Sequence, residues 1–169
     1  MRRSDLGSSG MTLPELLVAV LVLGLMAAVG MGGVGRALAR TRVEAATRQL
    51  AVDLEQARGS AEASGIACAL ELTPQGWAQA PASDLPACRV DAAGGVPQVQ
   101  LSHNLAGPLR IASNGLVLDG GTVVVAAPGS DLQRCLVVSL PLGVVRTGRS
   151  QAAPGAPPRS SDCVVDPSL

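Results

Sequence analysis

The sequence predicts an α+β protein: one long N-terminal helix packed on a small, mainly antiparallel β-sheet domain. Two observations carry this. From Leu16 to Gly35 no residue is charged and most are apolar. Beyond Gly65 the pattern changes from three- and four-residue apolar steps to short alternating segments separated by Gly, Pro and Asn, the change expected where a helix gives way to strands. The chain has 169 residues, 47% of them apolar, and a formal net charge of zero. That allows one apolar helix and one domain of roughly 100 residues.

Residues 1–10 form a short basic leader, Met-Arg-Arg-Ser-Asp-Leu-Gly-Ser-Ser-Gly, without an apolar core. A secretory signal places its apolar region before the cleavage site; here the apolar run comes afterwards. That run, about 20 residues as helix, is long enough to cross a hydrocarbon core of roughly 30 Å. Glu15 stands at its edge. A carboxylate bordering lipid is costly and requires a partner, unless it snorkels to the interface. Pro14 is tolerated in a first helical turn, where its missing N–H would be unpaired anyway. Arg2 and Arg3 precede the span and Arg36, Arg40 and Arg42 follow it, so charge bias alone does not orient it.

Gly30-Met31-Gly32-Gly33-Val34-Gly35 matches G-x-G-x-x-G formally, but no strand precedes it and no βαβ unit surrounds it. The glycines instead predict a locally weakened helix, at about 1 kcal/mol each relative to Ala. Gly24, Ala28 and Gly32 form a small face at four-residue spacing, suited to close helix packing.

From Arg36 to Ser64 the helix continues as an amphipathic half. Val43, Ala46, Leu50, Leu54 and Ala57 make one apolar stripe. Arg40, Glu44, Arg48, Asp53, Glu55 and Arg58 lie off it and are expected to be solvated or to face other subunits. Gly65 is a natural stop. Strands are expected at Ile66–Leu72, Trp77–Ala80, Val99–Leu101, Leu109–Ile111, Cys135–Ser139 and Val144–Arg146. Leu116–Leu118 and Thr122–Ala126, joined through Asp119-Gly120-Gly121, are expected to form a hairpin. The β domain is placed at 65–149 and a Pro/Gly/Ala-rich tail at 150–169.

Chemistry is sparse. His103 is the sole histidine, so a histidine-rich metal site is excluded, and no nucleophile or phosphate-loop pattern is present. No enzyme activity, metal or cofactor is expected. Asp119 reads as a turn residue. With Trp77 the one aromatic residue, stacking on single-stranded nucleic acid has no basis. Cys68, Cys88, Cys135 and Cys163 include no C-x-x-C pair, so zinc spacing is absent. Three pairings are open. Cys68–Cys88 would close an early loop and Cys135–Cys163 would staple the tail to a strand, in an oxidising compartment; four buried thiols are the alternative.

Gly10-Met11-Thr12-Leu13-Pro14-Glu15-Leu16-Leu17-Val18, coupled to the apolar run, resembles the N-terminal signature of type IV prepilins and type II secretion pseudopilins. The resemblance implies cleavage between Gly10 and Met11 by a prepilin peptidase, N-methylation of Met11, and a subunit-assembly role for Glu15, which would pair with the N-terminal ammonium of another subunit. Met11 stands where Phe is usual. The implied architecture is pilin-like, with residues 11–35 in the inner membrane, the N-terminus cytoplasmic and residues 36–169 periplasmic. The implied partners are the peptidase/methyltransferase and other pilins or pseudopilins.

The order of the later segments resembles the GspH/FimT branch, through Gly76-Trp77, Asn114-Gly115-Leu116, Cys135–Ser139 and Gly143–Arg146. That implies a minor pilin or pseudopilin, a structural subunit that starts or caps a type IV pilus or a type II secretion pseudopilus. Some FimT-like proteins bind DNA through Gly-Arg-x-Arg. Here the matching place reads Gly143-Val144-Val145-Arg146-Thr147-Gly148-Arg149, with Val144 replacing the first Arg, which makes Arg146 and Arg149 candidate DNA contacts. A membrane-anchored protein-binding module that is never cleaved is the further alternative.

Overall fold

The computed structural model describes residues 12–81, 83–90, 98–140, 142–153 and 155–166, with the backbone alone at 27–32. The protein is α+β: the described residues form one long helix, two antiparallel sheets and a 3-10 turn at Ser160–Asp162. It divides into two compact units, Met1–Arg36 and Ala37–Leu169.

Helix α1 runs from Leu13 to Ser64 without interruption. The weakening expected at Gly30–Gly35 does not break it; a penalty of about 1 kcal/mol per Gly lowers helix stability without cancelling the hydrogen bonds on either side. The helix stops where Gly65 adopts a φ of 66°, a left-handed conformation that favours Gly.

Within the second unit the predicted stripe is the core. Val43, Leu50, Leu54 and Ala57 are fully buried, with Ala46 at 3% exposure, and the stripe extends at the same spacing to Ala39 and Ala61. Thr47 is also buried on this side; its hydroxyl donates to the Val43 carbonyl at 2.8 Å, satisfying the polar group within the helix. Trp77 packs into the same core and its indole N–H donates to the Leu50 carbonyl at 2.9 Å. A buried indole needs such an acceptor.

The sequence suggested one sheet, whereas the chain forms two. The first has the order β2-β1-β4, built from β1 (Cys68–Thr73), β2 (Gly76–Gln79) and β4 (Leu109–Ile111). The second has the order β3-β5-β6-β7-β8, built from β3 (Gln100–His103), β5 (Gly121–Ala126), β6 (Arg134–Ser139), β7 (Val144–Ser150) and β8 (Cys163–Val164). Leu70, Leu109 and Ile111 of the first sheet and Val123, Val125, Leu136 and Val138 of the second enclose one core with the α1 stripe. The second sheet therefore has an inner face and an outer face, and the outer carries its own small cluster of Val124, Cys135, Val137 and Cys163.

The predicted Leu116–Leu118/Thr122–Ala126 hairpin does not form. The Asn114-Gly115 turn folds residues 116–118 back on β4 instead: Ala112 N donates to Leu116 O at 2.8 Å and Leu118 N to Arg110 O at 2.9 Å. β5 pairs with β3 and β6. Asp119-Gly120-Gly121 is thus the crossover between sheets. Other bounds shift slightly. β1 begins at Cys68, leaving Ile66 exposed, and His103 is the last residue of β3, exposed and in register with Val123.

Candidate functional site at the start of the helix

The site begins with four residues, Thr12-Leu13-Pro14-Glu15. Glu15 Oε2 accepts from the Thr12 backbone N–H at 3.1 Å and from the Thr12 hydroxyl at 3.0 Å. The Thr12 carbonyl accepts the first helical bond, from Leu16 N at 3.1 Å. Thr12 is therefore the residue that opens the helix, and the Glu15 carboxylate satisfies a backbone donor that has no helical partner. The Thr-x-x-Glu spacing is the sequence signal for this cap, which the assembly role expected of Glu15 does not include. A carboxylate in the first turn also faces the positive end of the helix dipole.

From Leu16 to Met26 the surface of α1 has no polar stripe. Leu16, Leu17, Val18, Val20, Leu21, Val22, Leu23, Leu25 and Met26 are between 47% and 69% exposed. A helix apolar all round is expected where another apolar phase or partner surrounds it. Among the described residues no helix is long and apolar enough to cross a membrane. The span expected at Leu16–Gly35 includes residues 27–32, whose side chains lie outside the described residues, as do Ala28 and Gly32 of the small face. Gly10 and Met11, the expected cleavage and methylation positions, also lie outside them.

The cysteines are paired as Cys68–Cys88 and Cys135–Cys163, with no free thiol among them. The first bond closes the 69–87 loop beside the Ala69–Ala87 bridge. The second ties β6 to β8.

Arg146 and Arg149 do not share a surface. Three residues apart on a strand, they point to opposite faces. Arg146 is in register with Val137 on the outer face, and one guanidinium nitrogen donates to the Ser160 carbonyl at 3.2 Å. Arg149 is in register with Arg134, on the inner side.

Several charges expected to be solvated instead bind the β domain. Arg40 makes a bidentate pair with Asp131 at 2.8 Å, which lowers the Asp131 pKa, chiefly through those hydrogen bonds. Arg58 donates to the carbonyls of Gly115, Gly143 and Leu142 at 3.0–3.2 Å and pairs with Glu55 at 2.9 Å. Glu44 lies 3.7 Å from Arg48 and 3.4 Å from Arg134. These side chains reach strands and turns that the helix sequence alone does not reveal. Arg134, buried at 4% exposure, also pairs with Asp166 at 2.6 Å. Its place in a strand beside Cys135 gave no sign of that burial. Asp119 grips Arg110 through both oxygens, at 2.7 and 2.9 Å. The Arg110 hydrogen bond is the main cause holding Asp119 below its ordinary pKa and Arg110 above its own.

Compared with protein-family models, with curated proteins and with solved structures, the chain matches none.

Proposed function

We propose that the protein is a minor pilin or pseudopilin of the GspH/FimT type, a structural subunit that helps start or cap a type IV pilus or a secretion pseudopilus. One observation carries the reading. A helix start fixed by Thr12 and Glu15, directly after Gly10-Met11, leads into a helical stretch, Leu16–Met26, whose large apolar side chains are exposed on every side. In this reading a prepilin peptidase cuts after Gly10, Met11 is methylated, and residues 11–35 hold the protein in the inner membrane with the β domain in the periplasm. Both disulfides suit an oxidising compartment.

Glu15 then has two tasks in succession. Within the subunit it caps the helix. During assembly it receives the N-terminal ammonium of another subunit, and removing the carboxylate would leave that ammonium unpaired in a low-dielectric setting, which is costly. Glu15→Ala is expected to abolish incorporation into filaments while leaving denaturation of the β domain unchanged.

The decisive experiment is intact mass with N-terminal sequencing of protein from membranes, with and without co-expressed prepilin peptidase. A chain beginning at methylated Met11, seen only with the peptidase, supports the proposal. A chain beginning at Met1 in both cases overturns it in favour of a membrane-anchored binding module. DNA binding is the weaker alternative, since Arg146 and Arg149 lie on opposite faces of β7; absence of binding at low salt would remove it.

A further inference from the structure

We infer that the C-terminal segment 155–166 is a strap fastened along the β7 edge of the second sheet by two separate locks, a disulfide on the outer face and a buried ion pair at Arg134 on the inner side, and that it opens only when both are released. The outer face is apolar at Val124 and Val137, and Cys163 of the strap completes their cluster with Cys135. Gly148 marks how closely the strap lies, because a side chain there would run into the Val164 carbonyl. Ordinary backbone pairing holds little of it. β8 meets β7 only at Arg149–Val164 and Ser150–Cys163, supplemented by Gln151 N donating to Asp162 O at 2.9 Å and by the exposed Arg146 guanidinium donating to Ser160 O at 3.2 Å. Of the segment's apolar side chains only Pro158 and Cys163 are buried, while Val164 and Val165 are exposed. Segments with few buried apolar contacts open at low cost, so the locks decide.

The first lock is Cys135–Cys163, whose residues are 1% and 4% exposed. The second is Asp166 on Arg134, at 2.6 Å. Arg134 also reaches Glu44 of α1, so the strap end is tied through one guanidinium to the sheet and the helix. A dithiol reductant opens the first lock. Its thiolate attacks Cys163 Sγ, the S–S bond breaks, and Cys135 leaves as a thiolate that takes up a proton. The second thiol of the reductant then resolves the mixed disulfide. Two electrons and two protons pass to the cysteine pair, and the reductant ends as a disulfide. With the ion pair intact, the strap stays down. With both locks gone, Val124, Val137 and the Cys135 thiol are uncovered while the sheet persists.

The test uses the full chain in detergent without reductant, so that Cys68–Cys88 stays closed. In Cys163→Ser the one free thiol is Cys135 beneath the strap, and its rate of maleimide labelling reports opening. Labelling is expected to be slow in Cys163→Ser and at least about 100-fold faster in Cys163→Ser/Asp166→Asn, because each lock removed lowers the cost of local opening. Hydrogen exchange in the double variant is expected to rise in 155–166 and to stay protected in β5 and β6. Equal labelling rates in the two variants, both slow or both fast, overturn the two-lock arrangement. Loss of protection in β5 and β6 together with the strap overturns it as well, since the domain would then be unfolding as a whole.

Discussion

One helix carries two surfaces made from the same residue types. Leu16, Leu17, Leu21 and Leu25 in the first unit are 53–64% exposed, whereas Leu50 and Leu54 in the second are fully buried. The difference lies in spacing. Between Ala39 and Ala61 the buried apolar positions recur in steps of three or four, with Arg and Glu between them, so a single stripe faces a single core. Between Leu16 and Met26 nearly every position is apolar, so no side is favoured and no one partner within the domain could cover them all. Apolar content alone says that burial is needed. Its period says whether the chain's own domain supplies the cover.

The largest test of that contrast is a pair of substitutions. Leu54→Ala is expected to lower the unfolding free energy of the β domain by about 2–5 kcal/mol, the usual cost of emptying a core site. Leu21→Ala should change it by less than about 0.5 kcal/mol. Urea denaturation followed by the fluorescence of Trp77, which rests on the Leu50 carbonyl, measures both. A comparable loss in Leu21→Ala would show that the first unit stabilises the domain directly and would collapse the distinction.

Next in size is Arg58→Met, which keeps much of the apolar stem but removes the guanidinium that holds the carbonyls of Gly115, Leu142 and Gly143. The expected cost is about 1.5–3 kcal/mol, with hydrogen exchange rising first in the 113–116 and 142–144 turns. Unchanged exchange there would mean that the turns stand without the helix. Two glycines give a smaller contrast. Gly143 has a φ of 63° and an added Cβ would strike the Val117 side chain, so Gly143→Ala should cost about 1–3 kcal/mol. A Cβ added at Gly24 would meet no atom within 4 Å outside its chain neighbours and the nearby backbone of its own helix, and Gly24→Ala should cost nothing, adding roughly 1 kcal/mol of helix propensity. Helicity by circular dichroism and the denaturation midpoint separate the two.

What was legible in the sequence follows the same division. The stripe Val43–Ala57, the stop at Gly65 and the places of β1, β4, β5 and β6 all rest on local period and turn chemistry, which a sequence displays. The missed features are long-range. Leu116–Leu118 looks like a hairpin arm, because its alternation is the same whether it pairs forwards with β5 or backwards with β4. Only the Asn114-Gly115 fold and the Arg110–Asp119 grip decide between them. Arg134 reads as an ordinary strand charge until Glu44 and Asp166, 90 and 32 residues away, close on it. At the candidate site Glu15 stands out by its charge at the edge of an apolar run, whereas its local partner Thr12 shows only in the Thr-x-x-Glu spacing.

The smallest expected effect concerns acid. In the β domain the Arg110 guanidinium and backbone N–H hold Asp119 below its ordinary value of 3.8. Below both the folded and the unfolded pKa the carboxyl is protonated in either state and contributes nothing. Between them the folded form is charged and the unfolded form protonated, so stability grows with pH. Above 3.8 the contribution is complete. Acidification from pH 6 should therefore remove it progressively as pH falls from 3.8 through the folded pKa, and Asp119→Asn should fall less steeply over that range. A residual slope should remain, because Arg40 lowers Asp131 in the same direction. Both carboxylates belong to the β domain, so its urea midpoint should carry the slope whether or not the first unit is embedded in detergent or lipid. Identical slopes for the wild type and Asp119→Asn would show that the crossover grip is not formed in solution, and would return Asp119 to the plain turn residue that the sequence suggested.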